Sequence, residues 1–199
     1  MFIQVVRGKV KDAAAIKAAG EQWQAEVKPG AKGYLGSTSG VAKDGTFVNV
    51  ARFESEEAFR SNSDRPERSA WWEKTSKIFD GTPTAYNCPD VTTFMGGGSD
   101  DAGFVQLMIY KPTDLNTLKE LNQKFDPADF ARPDMIGGTS AVATDGTVID
   151  TNYFTSEAEA RAGEKGEMPA EMQEMMKEYG EVVGNVEYVD ISDPWLYSA

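Results

Sequence analysis

The sequence predicts an α+β protein made of two βαββαβ units in tandem. Three observations lead there. The chain has 199 residues, 40% of them hydrophobic, which suffices for one large or two small domains with a buried core. It is also written twice. Phe2-Ile-Gln-Val-Val returns as Phe104-Val-Gln-Leu-Met, and the run Gly36 to Thr46 returns as Gly137 to Thr147. Phe53-Glu-Ser-Glu returns as Phe154-Thr-Ser-Glu, and Pro66 and Gly81 return as Pro169 and Gly184, all at offsets of 101 to 103. Such a period is the size of a domain and too long for a solenoid repeat. Finally, the hydrophobic period within each copy switches between strand and helix values in the order strand, helix, strand, strand, helix, strand. The Gly/Ser-rich stretch Gly96 to Gly103 reads as the linker (96–103) between units 1–97 and 103–199.

The first strand is Phe2 to Lys9. From Asp12 a helical stripe follows, carrying Ala15, Ile16, Ala19, Trp23 and Val27, and Lys28-Pro-Gly30 stops it. Tyr34 to Ala42 and Thr46 to Phe53 read as a hairpin turned by Lys43-Asp-Gly45, matched by Thr144-Asp-Gly146 in the second copy. Ser55 opens a short helix, 62–66 interrupts it, and Glu67 to Phe79 resumes with Trp72, Thr75, Ile78 and Phe79 facing inward; Pro83 to Val91 is the last strand. The second copy reads as strand 104–110, helix 114–125, hairpin 135–154, helix 168–182 and strand 185–191. This order is the ferredoxin-like split βαβ pattern, a four-stranded antiparallel sheet with both helices on one face. An open sheet of that kind alternates apolar with polar residues. Phe104-Val-Gln-Leu-Met-Ile-Tyr110 is largely apolar in both alternating sets, so both sheet faces are expected to be covered, and packing the two sheets together would make an intrachain α+β barrel.

Composition removes whole classes of function. The net charge of −12 argues against binding nucleic acid. The chain has no histidine and one cysteine, Cys88, which excludes a serine-hydrolase triad, a histidine-ligated metal and an intrachain disulfide. No haem, flavin or transition metal is expected. There is no apolar run long enough for a membrane span, no signal peptide is evident, and the cysteine usage fits a reducing, cytoplasmic setting. Residues 1–100 carry 13 basic and 13 acidic side chains, and residues 101–199 carry 7 and 19, so the whole negative excess belongs to the second copy.

The strand order, the junction Arg52-Phe-Glu-Ser-Glu-Glu-Ala-Phe59 and the helix running from Ser63 through Trp71-Trp72 resemble the dimeric α+β barrel superfamily, in its antibiotic-biosynthesis-monooxygenase branch. The resemblance covers nearly the whole chain, once per copy. It implies that this one chain acts as a pseudo-dimer. It further implies a cavity between sheet and helices, lined by Asn, Trp, Arg and Tyr, in which an electron-rich aromatic substrate meets dioxygen without metal or flavin. The positions here that match are Asn62, Arg52 and Trp72 as catalytic candidates, with Gln4, Tyr34 and Trp71 binding substrate. Asn62 would hydrogen-bond an enolate, Arg52 would stabilise its charge, and a Trp would stack on the ring.

Each candidate also has a structural reading. Trp72 lies on an inward stripe, Asn62 suits a helix cap, and Arg52 is placed to pair with Glu54 or Asp64. Gln4 and Gln106, at matching positions amid apolar neighbours, are expected to be buried and to bond across the pseudo-twofold seam or to point into a pocket. Met168, Met172, Met175 and Met176 share one helix face and read as core filler. In the second copy Arg52 becomes Tyr153, and Trp71 and Trp72 become Glu174 and Met175, so the working site is expected in the first copy. The function expected is that of a cofactor-independent monooxygenase acting on an electron-rich aromatic or polyketide-like substrate; the alternative is a non-catalytic small-ligand-binding or stress-associated module of the same fold.

Overall fold

The computed structural model describes residues 1–124, 132–166 and 170–198. The chain runs β1 (Phe2–Lys9), α1 (Ala13–Gln22), β2 (Tyr34–Val41), β3 (Thr46–Phe53), α2 (Glu56–Ser63), α3 (Pro66–Thr75), β4 (Thr84–Cys88) and β5 (Asp90–Phe94). It continues with β6 (Phe104–Tyr110), α4 (Leu115–Lys124), β7 (Met135–Val142), β8 (Val148–Phe154), α5 (Glu157–Gly163), α6 (Ala170–Val183), β9 (Val186–Ile191) and β10 (Trp195–Ser198). Two five-stranded sheets result, ordered β10-β2-β3-β1-β4 and β5-β7-β8-β6-β9. Without the outermost β10 and β5, each sheet has the ferredoxin-like order, and the chain is a tandem of two such units.

The fifth strands do not follow the tandem order of the repeat. The compact units are Met1–Val91 with Asp193–Ala199, and Thr92–Ser192. Pro89 separates β4 from β5 because its ring offers no N–H to a ladder, so the stretch from Pro83 to Val91 is two strands in two sheets. β10, which the hydrophobic pattern did not mark, pairs antiparallel with β2 through Trp195↔Ser39 and Tyr197↔Ser37.

Local chemistry sets the element ends. Asp12 accepts hydrogen bonds from the backbone N–H groups of Ala14 (2.8 Å) and Ala15 (3.1 Å) and so starts α1. Ser55 and Ser156, matched positions in the two copies, accept from Ala58 N–H and Glu159 N–H at the starts of α2 and α5. Beyond α1 the stripe predicted as far as Val27 continues as a wider π-helical turn over Trp23–Val27 and closes in a 3-10 turn at Lys28–Gly30. The two hairpins turn at Gly45 and Gly146, with φ of 83° and 84°, a region open to glycine. The helix 168–182 begins, within the described residues, at Ala170; Met168 lies outside them, as does the Met172 side chain.

The first sheet is apolar on both faces, as its pattern predicts. Phe2, Val6, Phe47 and Phe53 are buried on the helix side, and Ile3, Val5, Val48 and Val50 are each no more than 1% exposed on the other. Val105 and Leu107 repeat this in the second sheet. Each such side chain contributes about 1.5–3 kcal/mol by leaving water. Trp195 joins the helix-side core of the first unit, its ring 6.3 Å from that of Phe47 with Lys17 Nζ 5.5 Å from its centroid. Met175 is half-buried but Met176 is 38% exposed, so the methionine face is not uniformly core. Trp195→Ala is expected to cost about 2 kcal/mol and Met176→Ala less than about 0.5, measured by equilibrium denaturation.

Candidate functional site

A cavity of about 90 Å³ lies between the sheet and the helices of the first unit. Strand geometry decides which side chains reach it, because successive residues point to opposite faces. β1 sends in Gln4 and Val6, β3 sends Phe47, Asn49, Ala51 and Phe53, and β10 sends Trp195 and Tyr197. A register shift between Tyr34 and Gly36 lets β2 present Tyr34 together with Ser37 and Ser39 on the same side. The helices close the space with Trp23, Asn62, Arg68, Trp71, Trp72 and Thr75. The lining thus has aromatic walls, a neutral polar floor, one guanidinium and no carboxylate.

Five of the six residues predicted from sequence meet here. The Tyr34 hydroxyl donates to Ser37 Oγ at 2.8 Å and accepts from Gln24 Nε2 at 3.3 Å, while its ring lies 4.7 Å from that of Trp23. Burial raises the phenol pKa of Tyr34 and that of Tyr197, so both remain neutral at neutral pH. Asn62 is 5% exposed, and its Oδ1 accepts from Arg65 Nη1 at 3.0 Å, which leaves Nδ2 as the donor end of the amide. Trp71 Nε1 donates to the Ala19 carbonyl at 2.8 Å and fixes α3 against α1. Trp72 has both roles foreseen for it: it packs on the core at 6.1 Å from Phe79 and lines the cavity.

Arg52 is the exception. It occupies the β3 position of opposite parity, on the face of Val48 and Val50, and its Nη1 donates to Thr38 Oγ1 at 3.0 Å. It does not line the cavity. Gln4 lines the cavity, one of the two outcomes expected of it, and neither Gln4 nor Gln106 bonds to the other. Each bonds within its own sheet to the residue opposite, Gln4 Nε2 to Asn87 Oδ1 and Gln106 Nε2 to Asp190 Oδ1, both at 3.0 Å. Gln106 is 8% exposed, but Gln4 is only partly buried at the cavity edge. The neighbouring strand supplies the partner that a buried amide needs.

The reading from sequence missed Arg68, Trp195 and Tyr197. Arg68 sits on α3 one turn before Trp72, with its guanidinium carbon 5.5 Å from the Trp72 ring centroid. An (i, i+4) search outward from Trp72 would have found it. Trp195-Leu-Tyr197 carries a strand alternation, but too short to stand out.

The second unit fills the matching positions differently. Asn49, whose Oδ1 accepts from Ser39 Oγ at 2.8 Å, is replaced by Asp150 at the offset of 101. Asp150 Oδ2 accepts from the Tyr110 hydroxyl at 2.9 Å, and Tyr110 and Tyr179 hydroxyls stand 3.4 Å apart. Asp150 retains some exposure as a residue, but Oδ1 is buried with no hydrogen-bond partner. Burial pushes this carboxyl above the usual range, outweighing its hydrogen bonds from Ser140 and Tyr110. Asn62 is matched by Gly163, where an added Cβ would meet the Arg132 guanidinium. Arg132 ion-pairs with Asp134 and donates to the Ala160 carbonyl at 2.9 Å. Among the described residues, no group of three or more Asp, Glu or Cys side chains is placed to hold a metal ion, and no helix is long and apolar enough to cross a membrane.

The chain has a tandem-duplicated ferredoxin-like fold. Among solved structures it is similar to two proteins each named as a putative monooxygenase. With that of Fusobacterium nucleatum it has a TM-score of 0.78 at 10% identity, over 99% of this chain and 94% of the other. With that of Lactobacillus acidophilus the TM-score is 0.71 at 13% identity, over 98% of each chain. An anthrone oxidase-like protein matches with a TM-score of 0.68 at 13% identity, over 99% of this chain and 90% of the other. No protein-family model matches the sequence, and no curated protein does.

The raised pKa at Asp150 has a direction in stability. The folded chain keeps this proton to higher pH than the unfolded chain, so stability falls as pH rises from about 4 through the folded pKa. Asp150→Asn is therefore expected to flatten that fall and to leave the protein at least as stable at pH 7, checked by thermal unfolding across pH 4 to 8. A loss of stability at pH 7 in the variant would contradict this account.

Proposed function

We propose that the chain is a cofactor-independent monooxygenase whose working site is the cavity of the first unit. The observation that carries this is the lining itself: Trp23, Tyr34, Trp71, Trp72 and Trp195 around the neutral polar groups of Gln4, Asn49 and Asn62, with no carboxylate. Such a site suits a flat, electron-rich aromatic with a few hydroxyl or carbonyl oxygens. The similarity of fold to proteins named as monooxygenases and as anthrone oxidase-like supports the same reading.

The substrate ring stacks on Trp72 and Trp71. Asn62 Nδ2 donates to the ring carbonyl oxygen that becomes an enolate when the CH2 conjugated with it through the rings loses its proton to water. The neutral Tyr34 and Tyr197 hydroxyls keep the surroundings polar without adding a competing negative charge. The electron-rich enolate carbon passes electrons to dioxygen and bonds to one of its oxygens. For an anthrone-type CH2 the overall change is to C=O, a four-electron oxidation of carbon. One oxygen atom is kept in the carbonyl and the other leaves as water, so no external reductant is consumed.

Oxygen uptake with a panel of anthrones and hydroquinones tests the proposal. The expected result with an anthrone is uptake of one dioxygen per molecule oxidised, with kcat lowered about 100-fold in Asn62→Ala and unchanged in Arg52→Ala. Absence of uptake above the uncatalysed rate across the panel would overturn it. Thermal stabilisation by these compounds without uptake would instead identify a binding module.

A further inference from the structure

We propose that the ligand of the first-unit cavity is a planar aromatic carrying an oxyanion, a carboxylate or an ionised phenol, and that Arg68 is the residue that recognises the charge. This deepens the reading of the same cavity. It rests on that reading for the location of the ligand, not for turnover.

The arginines of the chain differ in their partners. Arg60 is paired with Glu56 at 2.6 Å, Arg132 with Asp134 and Arg161 with Asp190. Arg65 donates to the Val27 carbonyl at 2.9 Å as well as to Asn62. Arg68 differs. Among the described residues it has no hydrogen bond and no ion pair, and its one specific contact is the face of Trp72 at 5.5 Å. A partly buried cation without a counter-charge is costly to the folded chain, more so where aromatic walls replace water. Residues 1–100 carry 13 acidic side chains, yet none lines this cavity. The cation is thus kept unneutralised beside a flat ring surface, which is the complement of an aromatic anion. Desolvation lowers the pKa of Arg68 below that of a free guanidinium, the direction expected of one short of anionic neighbours.

The geometry also separates the two parts of recognition. Arg68 and Trp72 both line the cavity, so a charge and a ring surface are presented side by side. The guanidinium presents a planar fork of N–H donors that matches two oxygens of a carboxylate or the single oxygen of a phenolate. Gln4, Asn49 and Asn62 carry no charge and tolerate either ligand form, which leaves discrimination to Arg68.

Isothermal titration calorimetry on the full chain at pH 7.5 tests this with 2-naphthoate, a nitro-substituted naphtholate ionised at that pH, and neutral 2-naphthylmethanol. At least one anion is expected to bind about tenfold or more tightly than the neutral alcohol. The anion that does so distinguishes a carboxylate from a phenolate ligand. Arg68→Met is expected to abolish the preference while retaining the affinity for the alcohol, and Arg68→Lys to restore part of it. Retained binding of the alcohol and an unchanged circular dichroism spectrum show that the variant is folded. Equal affinity for alcohol and anions in the unmodified chain, a preference that survives Arg68→Met, or no binding of any of the three would each overturn the proposal. A charge preference at Arg68 without oxygen uptake would leave this proposal standing and remove the monooxygenase reading. Uptake together with an Arg68→Met variant of unaltered preference would do the reverse.

Discussion

A pleated strand offers only every second side chain to a given face, and in the first unit both faces of the sheet must be apolar enough to stay dry. The candidate site follows from that restriction. Ile3, Val5, Val48 and Val50 hold one face closed to solvent, so polar groups that address a ligand are confined to the alternate positions. Gln4, Ser37, Ser39 and Asn49 occupy such positions, and Trp195 and Tyr197 extend the same face across the added strand β10. The irregularity between Tyr34 and Gly36 is what brings the Tyr34 hydroxyl to the Ser37 side of β2. The same restriction excludes Arg52, one residue away from the cavity in sequence on either side.

Duplication lets the two copies solve one packing problem in different ways. At the floor position the first copy has a neutral amide, Asn49, and the second a carboxyl, Asp150, while the adjacent serine is retained as Ser39 and Ser140. At the helix position the first copy has Asn62 and the second Gly163, and the room released there is taken by Arg132. Arg132 lies 5.5 Å over the Phe154 ring and Arg161 5.1 Å over the Phe104 ring, each tied to an aspartate. These two cations of the second unit are thus neutralised internally. The first unit, whose charges balance in sequence, leaves Arg68 over Trp72 without an anion. Net charge and local charge point in opposite directions, which is why the composition of the halves alone does not locate the binding site.

Much of the fold was legible because the repeat compares the sequence with itself. A turn signal such as Lys43-Asp-Gly45 is ambiguous alone and persuasive when Thr144-Asp-Gly146 stands at the same place in a second copy. The limits were those of β1, β3 and β6 to the residue. Strands β5 and β10 escaped because each is four or five residues long and belongs to the sheet of the other copy's segment of chain, a pairing that no local pattern encodes. For the site, residue types were legible and directions only partly so. Trp72 was placed by helical period, and Asn62 and Trp71 by the resemblance. Arg52 was chosen for its charge at a strand end, although parity set by Phe47 and Phe53 sends it to the opposite face. Arg68 was passed over because a charged residue on an otherwise polar helix normally reads as solvated surface.

The absence of histidine gives the cavity its chemical character. With no carboxylate in the lining and the phenols of Tyr34 and Tyr197 held neutral by burial, none of the lining side chains serves as a base at neutral pH. Proton loss then has to draw on the acidity of the ligand, and a surrounding can increase that acidity only by stabilising the anion formed. A guanidinium in aromatic, water-poor surroundings does this more strongly than it would in bulk solvent, because the field between charges weakens with the dielectric of what lies between them. An amide donor at Asn62 adds to it without carrying a charge of its own. The aromatic walls thus do more than bind a ring: by excluding water they set the strength of the one cation beside it, and a site with few titrating groups remains able to favour an ionised ligand.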